Sequence, residues 1–277
     1  LAFRDFETLY LRGKVGPEGG EVRTEERRKQ KESLALDVEV LRARLGPVKV
    51  ALIEQWIREV NGPFDALIAG VTGADSLVLD AGCSRGDPDL PAMNRGRALI
   101  GADVDLPGLR ANFLADGVVC APLDRLPFPD GAFDVVVSKW VAEHLEHPER
   151  DFAEAARVLR PGGALVLLTP NAHSIFTFIS RAIPYRLKQI IKGRLFQGHE
   201  EDTFRTWYRA NTVAALARQL DAAGFREQET VLLPGMWTFF IFSRPLARLV
   251  RWLELRQSGV PGLRRATTYI AGVWIRR

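Results

Sequence analysis

The sequence predicts an α/β fold: a doubly wound, mostly parallel sheet with helices on both faces. Three observations carry that expectation. From residue 76 onward, short apolar runs alternate with helical stretches, the order in which crossover helices build a parallel sheet. The runs Val135–Val137 and Leu165–Leu168 are apolar throughout, which suits strands covered on both faces. The first run ends in a glycine-bearing turn, Leu79-Asp80-Ala81-Gly82-Cys83-Ser84-Arg85-Gly86, and open α/β sheets bind ligands at such carboxyl ends of strands.

The elements follow in order. Residues 1–70 read as a helical N-terminal arm or lid. It has a charged run near Glu25–Glu32, then Leu41, Leu45, Val48, Leu52, Ile53, Trp56, Ile57 and Val60 at helical spacing. Gly62-Pro63 breaks that pattern. Residues 71–277 read as the main domain. Its strands are expected at Ser76–Asp80, Ala98–Ala102, Gly117–Cys120, Phe133–Ser138 and Ala164–Thr169, the last entered through Arg160-Pro161-Gly162-Gly163. A helix around Pro148–Leu159 joins the fourth to the fifth. An amphipathic helix at Asn211–Ala223 ends at Gly224 as its C-cap, and strands at 226–233 and 267–275 bring the count to seven. The stretches at about 171–210 and 236–260 read as cap insertions.

Composition narrows the function classes. Of 277 residues, 47% are hydrophobic and 26% charged, so a packed core is expected and disorder is not. Cys83 and Cys120 are the two cysteines and belong to no ligand-spaced cluster. That argues against a disulfide framework and a metal site, and suits a reducing, cytoplasmic compartment. Neither a signal peptide nor an apolar run of ~20 residues is seen. The net charge of +4 is uneven: about −6 over residues 1–170 and about +10 over 171–277. Such asymmetry points to an anionic substrate or surface, or to solvated faces. Without a compact Lys/Arg run or a known binding module, nucleic acid is not an expected partner.

In the glycine turn, a strand that opens into a helix sets backbone N–H groups against a ligand, and a Cβ at Gly82 would project into the ligand space. Asp103 ends the second strand, where its carboxylate can accept two hydrogen bonds from ribose hydroxyls; the alternative is a helix cap or loop aspartate. Asp105 reads as the cap of a helix starting near Pro107.

The next motifs are Leu126-Pro127-Phe128-Pro129-Asp130-Gly131-Ala132-Phe133-Asp134-Val135-Val136-Val137-Ser138, then Glu143-His144-Leu145, then Arg160-Pro161-Gly162-Gly163. With these in order, the chain resembles the class I S-adenosylmethionine-dependent methyltransferases, particularly the type 11 group that methylates quinones and small molecules. The resemblance is close over 76–170. It is looser over 211–223 and the last two strands, which match that family's terminal antiparallel hairpin. It implies S-adenosylmethionine as cofactor and in-line methyl transfer to a small-molecule or lipid-precursor acceptor. Asp80 and Gly82 would line the methionine end, with Cys83 in the same turn and Gly86 closing it. Asp103 would hold the ribose and Leu123 cover the adenine, while Ser138 and Lys139 would lie under the sulfonium. Two positions depart from the family pattern. Ser84 stands where glycine is usual, which is tolerable if its φ is negative. Pro122 stands where an aspartate often meets the adenine amine, leaving Asp124 or packing to hold the base. These departures keep open a catalytically degenerate cofactor-binding protein. A nicotinamide-dependent oxidoreductase is disfavoured, because the turn lacks the three-glycine spacing that a pyrophosphate requires.

Methyl transfer asks mainly for alignment, and a positioned base helps when the acceptor must lose a proton. His144 follows strand four and reads either as that base or as a packed residue; His147 reads as a surface loop residue. His173 lies at the carboxyl edge of strand five. His199 and Tyr208 sit in a polar, aromatic block that reads as a lid over the acceptor or as a packed cap. Residues 174–195 and 236–256 mix large apolar side chains with arginine and lysine. They read as a cap with outward-snorkelling arginines, or as a peripheral surface for anionic lipid or an amphipathic acceptor.

Overall fold

The computed structural model describes residues 47, 50–175, 177, 204–240 and 243–277. Strands β1 (Leu77–Ala81), β2 (Ala98–Asp103), β3 (Gly117–Cys120), β4 (Phe133–Lys139), β5 (Leu159–Pro170), β6 (Phe225–Leu233) and β7 (Tyr269–Arg276) form one sheet in the order β3-β2-β1-β4-β5-β7-β6. The first five pair in parallel. Strand β7 runs antiparallel to both β5 and β6, so the last strand in sequence is inserted before the edge. The expected doubly wound, mostly parallel seven-stranded sheet is therefore what the chain forms.

Alternate strand residues feed two cores, as the period of two requires. One core joins Leu77, Leu79, Ile100, Phe133, Val136 and Leu165 to Phe152 and Ala156 of α3 (Pro148–Val158) and to Leu216 and Leu220 of α4 (Val213–Ala222). The other joins Val78, Leu99, Val135, Val137, Val166 and Leu168 to Phe64 and Ile68 of α1 (Gly62–Val71). The short α2 (Leu106–Ala111) lies between β2 and β3. A third, smaller cluster packs Leu52 and Trp237 on Ala247 and Val250 of α5 (Arg244–Ser258).

Three local expectations are corrected. Gly62-Pro63 does not break the N-terminal helix. A π-helical turn, Ile57–Asn61, precedes it and the Gly62 N–H bonds the Ile57 carbonyl, so Pro63 enters at the start of α1, where no donor is lost. No α-helix opens after the glycine turn; Asp87-Pro88-Asp89 and Pro91 leave only a 3-10 turn at Pro91–Arg95. Strand β5 starts at Leu159, because Arg160-Pro161-Gly162-Gly163 is part of the sheet: Leu159 pairs with Phe133 across a register shift. Gly163 has no room there for a Cβ, which would sit 2.9 Å from the Arg160 carbonyl oxygen and 3.0 Å from that of Asp134. The Asp134 carboxylate accepts the Leu77 N–H at 2.7 Å and the Arg160 Nε–H at 2.6 Å, tying β1, β4 and β5 together below the site.

Among the described residues no helix is long and apolar enough to cross a membrane. The expected arm short of residue 47 and the stretch 178–203, with His199, lie outside the described residues.

Candidate active site

At the carboxyl ends of β1, β2 and β4 opens a cleft of about 750 Å³. Its walls include Asp80, Gly82, Cys83 and Gly86 from the glycine turn, Asp103 from β2, Leu123, Lys139 from β4, and His144. Of the residues singled out from the sequence, Ser138 is buried within β4 and does not line the cleft, and neither do His173 and Tyr208. Pro122 lines it beside Leu123; Asp124 does not.

The turn is held by its own bonds. The Ala102 carbonyl accepts from Gly82 N–H at 2.8 Å and Cys83 N–H at 3.3 Å, and the Cys83 carbonyl from Gly86 N–H at 2.7 Å. Ser84 N–H donates to Asp103 Oδ2 at 2.8 Å, and Asn112 Nδ2 to the Ser84 carbonyl at 3.0 Å. These N–H groups are spent inside the protein, which corrects the expectation that they face a ligand. Gly82 is needed for two reasons visible in the fold: its φ is +86°, and a Cβ there would lie 2.2 Å from Cγ2 of Val141, which lines the cleft with it. Ser84 also departs from expectation: its φ is +35°, in the left-handed region. Its Oγ–H bonds Asp105 Oδ2 at 2.9 Å. That contact occupies the Asp105 carboxylate, which stands at the N-cap position of α2 without capping it.

The cleft is acidic. Asp80 is buried, and no hydrogen bond holds its carboxyl among the described residues. Burial, then the negative charges of Asp87 and Asp103, push it up to about 7, against the pull of Lys139. Lys139 is itself paired with Asp87. Both Asp103 oxygens accept backbone N–H groups, from Ser84 and, at 2.8 Å, from Asp105. Asp151 in the first turn of α3 also lines the cleft, raised to about 6 by burial and by Asp124. A pocket with an unbonded buried carboxyl and further carboxylates suits a cationic ligand and repels a pyrophosphate. It therefore fits S-adenosylmethionine, with its sulfonium and ammonium charges. Cys83 packs its Sγ over Gly101, where a Cβ would come within 2.5 Å, and burial pushes its thiol far up, so it stays protonated. Both cysteines are free thiols.

His144 lines the same cleft. Its Nδ1 lies 3.0 Å from the Arg205 carbonyl oxygen and its Nε2 4.0 Å from Glu143 Oε1. A carbonyl only accepts, so Nδ1 carries the proton and Nε2 is the basic nitrogen of the neutral ring. Glu143 is buried and pushed up to about 7 by that burial. Its Oε2 accepts from Thr169 Oγ–H at 3.0 Å, and Thr169 Oγ in turn from Asn211 Nδ2 at 2.6 Å. The Glu143 carbonyl accepts from Trp207 N–H at 2.7 Å and Tyr208 N–H at 3.2 Å. These bonds fasten Phe204, Arg205 and Trp207 over the cleft as part of its wall. Asp87, Val141, Glu143 and Asp151 were missed in the sequence. Glu143 had a signal, its place beside His144; the others act through partners distant in the chain.

A family profile described as a methyltransferase domain matches residues 79–167. A "Probable S-adenosylmethionine-dependent methyltransferase" of Mycolicibacterium smegmatis is 38% identical over 120 residues, 42% of this chain and 46% of that protein. The chain thus spans less than half the length of that relative. The demethylmenaquinone methyltransferase of Thermus thermophilus is 30% identical over 195 residues, 62% of this chain and 84% of the relative. In fold, the chain is similar to a geranyl diphosphate methyltransferase solved with GPP and sinefungin. The TM-score is 0.55 at 17% identity, covering 85% of this chain and 86% of that one. Sequence motifs, strand order and relatives agree: the chain belongs to the class I S-adenosylmethionine-dependent methyltransferases, in their type 11 group.

Proposed function

We propose that the protein transfers a methyl group from S-adenosylmethionine to a small apolar or amphipathic acceptor, such as a lipid precursor. The observation that carries this reading is the acidic cleft, in which no hydrogen bond holds the Asp80 carboxyl among the described residues and Asp103 faces the same space. The bound cofactor supplies an electrophilic methyl on a cationic sulfur. Asp103 accepts the ribose hydroxyls, and the Asp80 carboxylate, with Lys139 and Asp87 beside it, orients the methionine end. Leu123 and Pro122 pack the adenine, and Asp151 gives that wall the acidic group that Pro122 does not. His144 Nε2 takes the acceptor's proton where one must leave. His173 and Tyr208, away from the cleft walls, have no part in this step. Residues 204–207 close the acceptor side, as a cap insertion would. Residues 71–277 then form the methyltransferase domain, and peripheral contact with an anionic membrane through 236–256 belongs to the same reading. An apolar acceptor is favoured by the Thermus relative, named for demethylmenaquinone.

The test is calorimetric titration with S-adenosylhomocysteine, with NADH as the control. Wild-type protein binds the former and not the latter. Asp103→Ala weakens binding by roughly fiftyfold or more, having lost charge-assisted bonds to the ribose. His144→Gln keeps that affinity within about threefold, while turnover on a proton-releasing acceptor falls about 10²-fold. Folded protein that ignores S-adenosylhomocysteine would overturn the reading.

A further inference from the structure

Helix α5 is turned inside out. Its buried side holds Ala247, Val250 and the carboxylate of Glu254. Its outer side holds Leu249, Trp252, Leu253 and Leu255, which are 51%, 53%, 50% and 41% exposed, and the chain continues into Val260 and Leu263, 47% and 55% exposed. At about 100° per residue, Leu249, Trp252, Leu253 and Leu255 share one arc with Arg248 and Arg256. The Arg256 guanidinium lies 5.1 Å from the Trp252 ring centre. Single exposed leucines are ordinary, but a row of them on one helix face, with a tryptophan at its centre, marks an interaction surface.

The charge around this face is one-sided. Residues 244–277 contain eight arginines and one acid, and that acid, Glu254, is buried. On the flank of the face lies a pocket of about 250 Å³, where Arg244, Arg248, Arg251 and Gln55 stand over Leu52, Trp237 and Ala247. Arg251 is held by Glu59, its Nη2 2.6 Å from Oε1. Arg244 and Arg248 have neither a hydrogen bond nor an ion pair among the described residues. Two guanidinium groups without a partner among the described residues, beside a row of exposed apolar side chains, match a lipid boundary. Leucine and tryptophan enter the acyl edge, and the arginines reach phosphate. A second copy is a poor occupant, since it would bring arginine against arginine.

We infer that the outer face of α5, with the arginine pocket on its flank, docks the protein on an anionic lipid bilayer. This gives the peripheral contact of the methyltransferase reading its surface and rests on that part of the reading alone. The test is sedimentation of the full chain with vesicles of phosphatidylcholine alone, or with about a third phosphatidylglycerol, at about 0.1 M salt. The protein partitions at least about tenfold more strongly onto the anionic vesicles, and high salt releases it. A Leu249→Ser, Trp252→Ser double variant loses about tenfold or more of that partition. An Arg244→Gln, Arg248→Gln variant loses roughly thirtyfold. Both keep the wild-type thermal midpoint and the wild-type affinity for S-adenosylhomocysteine. No partition, or variants that partition like the wild type, would overturn the proposal. So would self-association without vesicles that the Leu249, Trp252 variant abolishes, which assigns the face to a second copy. Vesicle binding in a protein that ignores S-adenosylhomocysteine would leave the docking supported and remove the cofactor reading instead.

Discussion

Asp80→Asn is expected to stabilise the ligand-free protein by about 2–3 kcal/mol at pH 8, and to abolish most of its affinity for S-adenosylmethionine. Below pH about 4 the Asp80 carboxyl is protonated in both folded and unfolded chains, and its ionisation contributes nothing. Between its ordinary 3.8 and the about 7 that it has in the fold, the unfolded chain loses this proton while the folded chain keeps it. Stability therefore falls as pH rises through that window, by about 1.4 kcal/mol per unit, and stays reduced above it. Three units give on the order of 4 kcal/mol, of which an amide, itself wanting partners, recovers the larger part. Glu143 titrates in the same window, so the informative quantity is the difference between the two proteins, in which Glu143 cancels. Binding reverses the sign: a cationic ligand prefers the ionised carboxylate, so wild-type affinity rises about tenfold per unit up to pH about 7 and then levels off. The variant's affinity stays low and flat. Thermal unfolding and titration calorimetry across pH 5–8.5 check both halves, and stability curves that run parallel would refute the account. The repulsion of Asp80 by Asp87 and Asp103 is unfavourable in the empty cleft, and on the proposed reading a bound cation relieves it.

What the sequence made legible was set by burial on both faces. Strand β4 lies where expected and extends one residue further, because a strand covered on two sides must be apolar nearly throughout; Gly117–Cys120, a half-exposed edge strand, also has the bounds expected. The site was legible where a residue type has a single use: glycine for a left-handed turn, or an aspartate ending the second strand. It was not legible where the cause lies far along the chain. Gly82 must be glycine partly because Val141 crosses above it, and nothing near Gly82 announces that. Ser84 is held at positive φ by Asp105 and Asn112, 21 and 28 residues away. His144 and His173 both follow strands at their carboxyl ends; the bonds from Trp207 and Tyr208 to the Glu143 carbonyl bring the cap to one of them and leave the other outside. Glu254 was hidden most completely, since nothing in the sequence sets it apart until its donors are seen.

Glu254 carries the second large effect. Its two oxygens accept from Gly235 N–H, each at 3.0 Å; Oε2 also accepts from Met236 N–H at 3.0 Å, and Thr268 Oγ–H bonds Oε1. Gly235 packs closely on Tyr269, where a Cβ would lie 2.3 Å from the ring. Glu254→Ala leaves these donors dry and is expected to cost about 3–5 kcal/mol. Glu254→Gln is expected to cost less than about 1 kcal/mol. Its amide oxygen can take the place of Oε2, accepting from Gly235 and Met236, while its NH₂ donates to a Thr268 hydroxyl turned from donor to acceptor. Burial raises the Glu254 carboxyl against the pull of those donors, so the glutamine variant also loses a contribution that weakens as pH rises. Urea unfolding of the two variants separates a bonded staple from mere packing. Equal losses would mean that the side-chain volume matters and the hydrogen bonds do not. A large loss in alanine alone means that one carboxylate, on the buried side of an otherwise basic helix, anchors α5 so that its apolar face points outward.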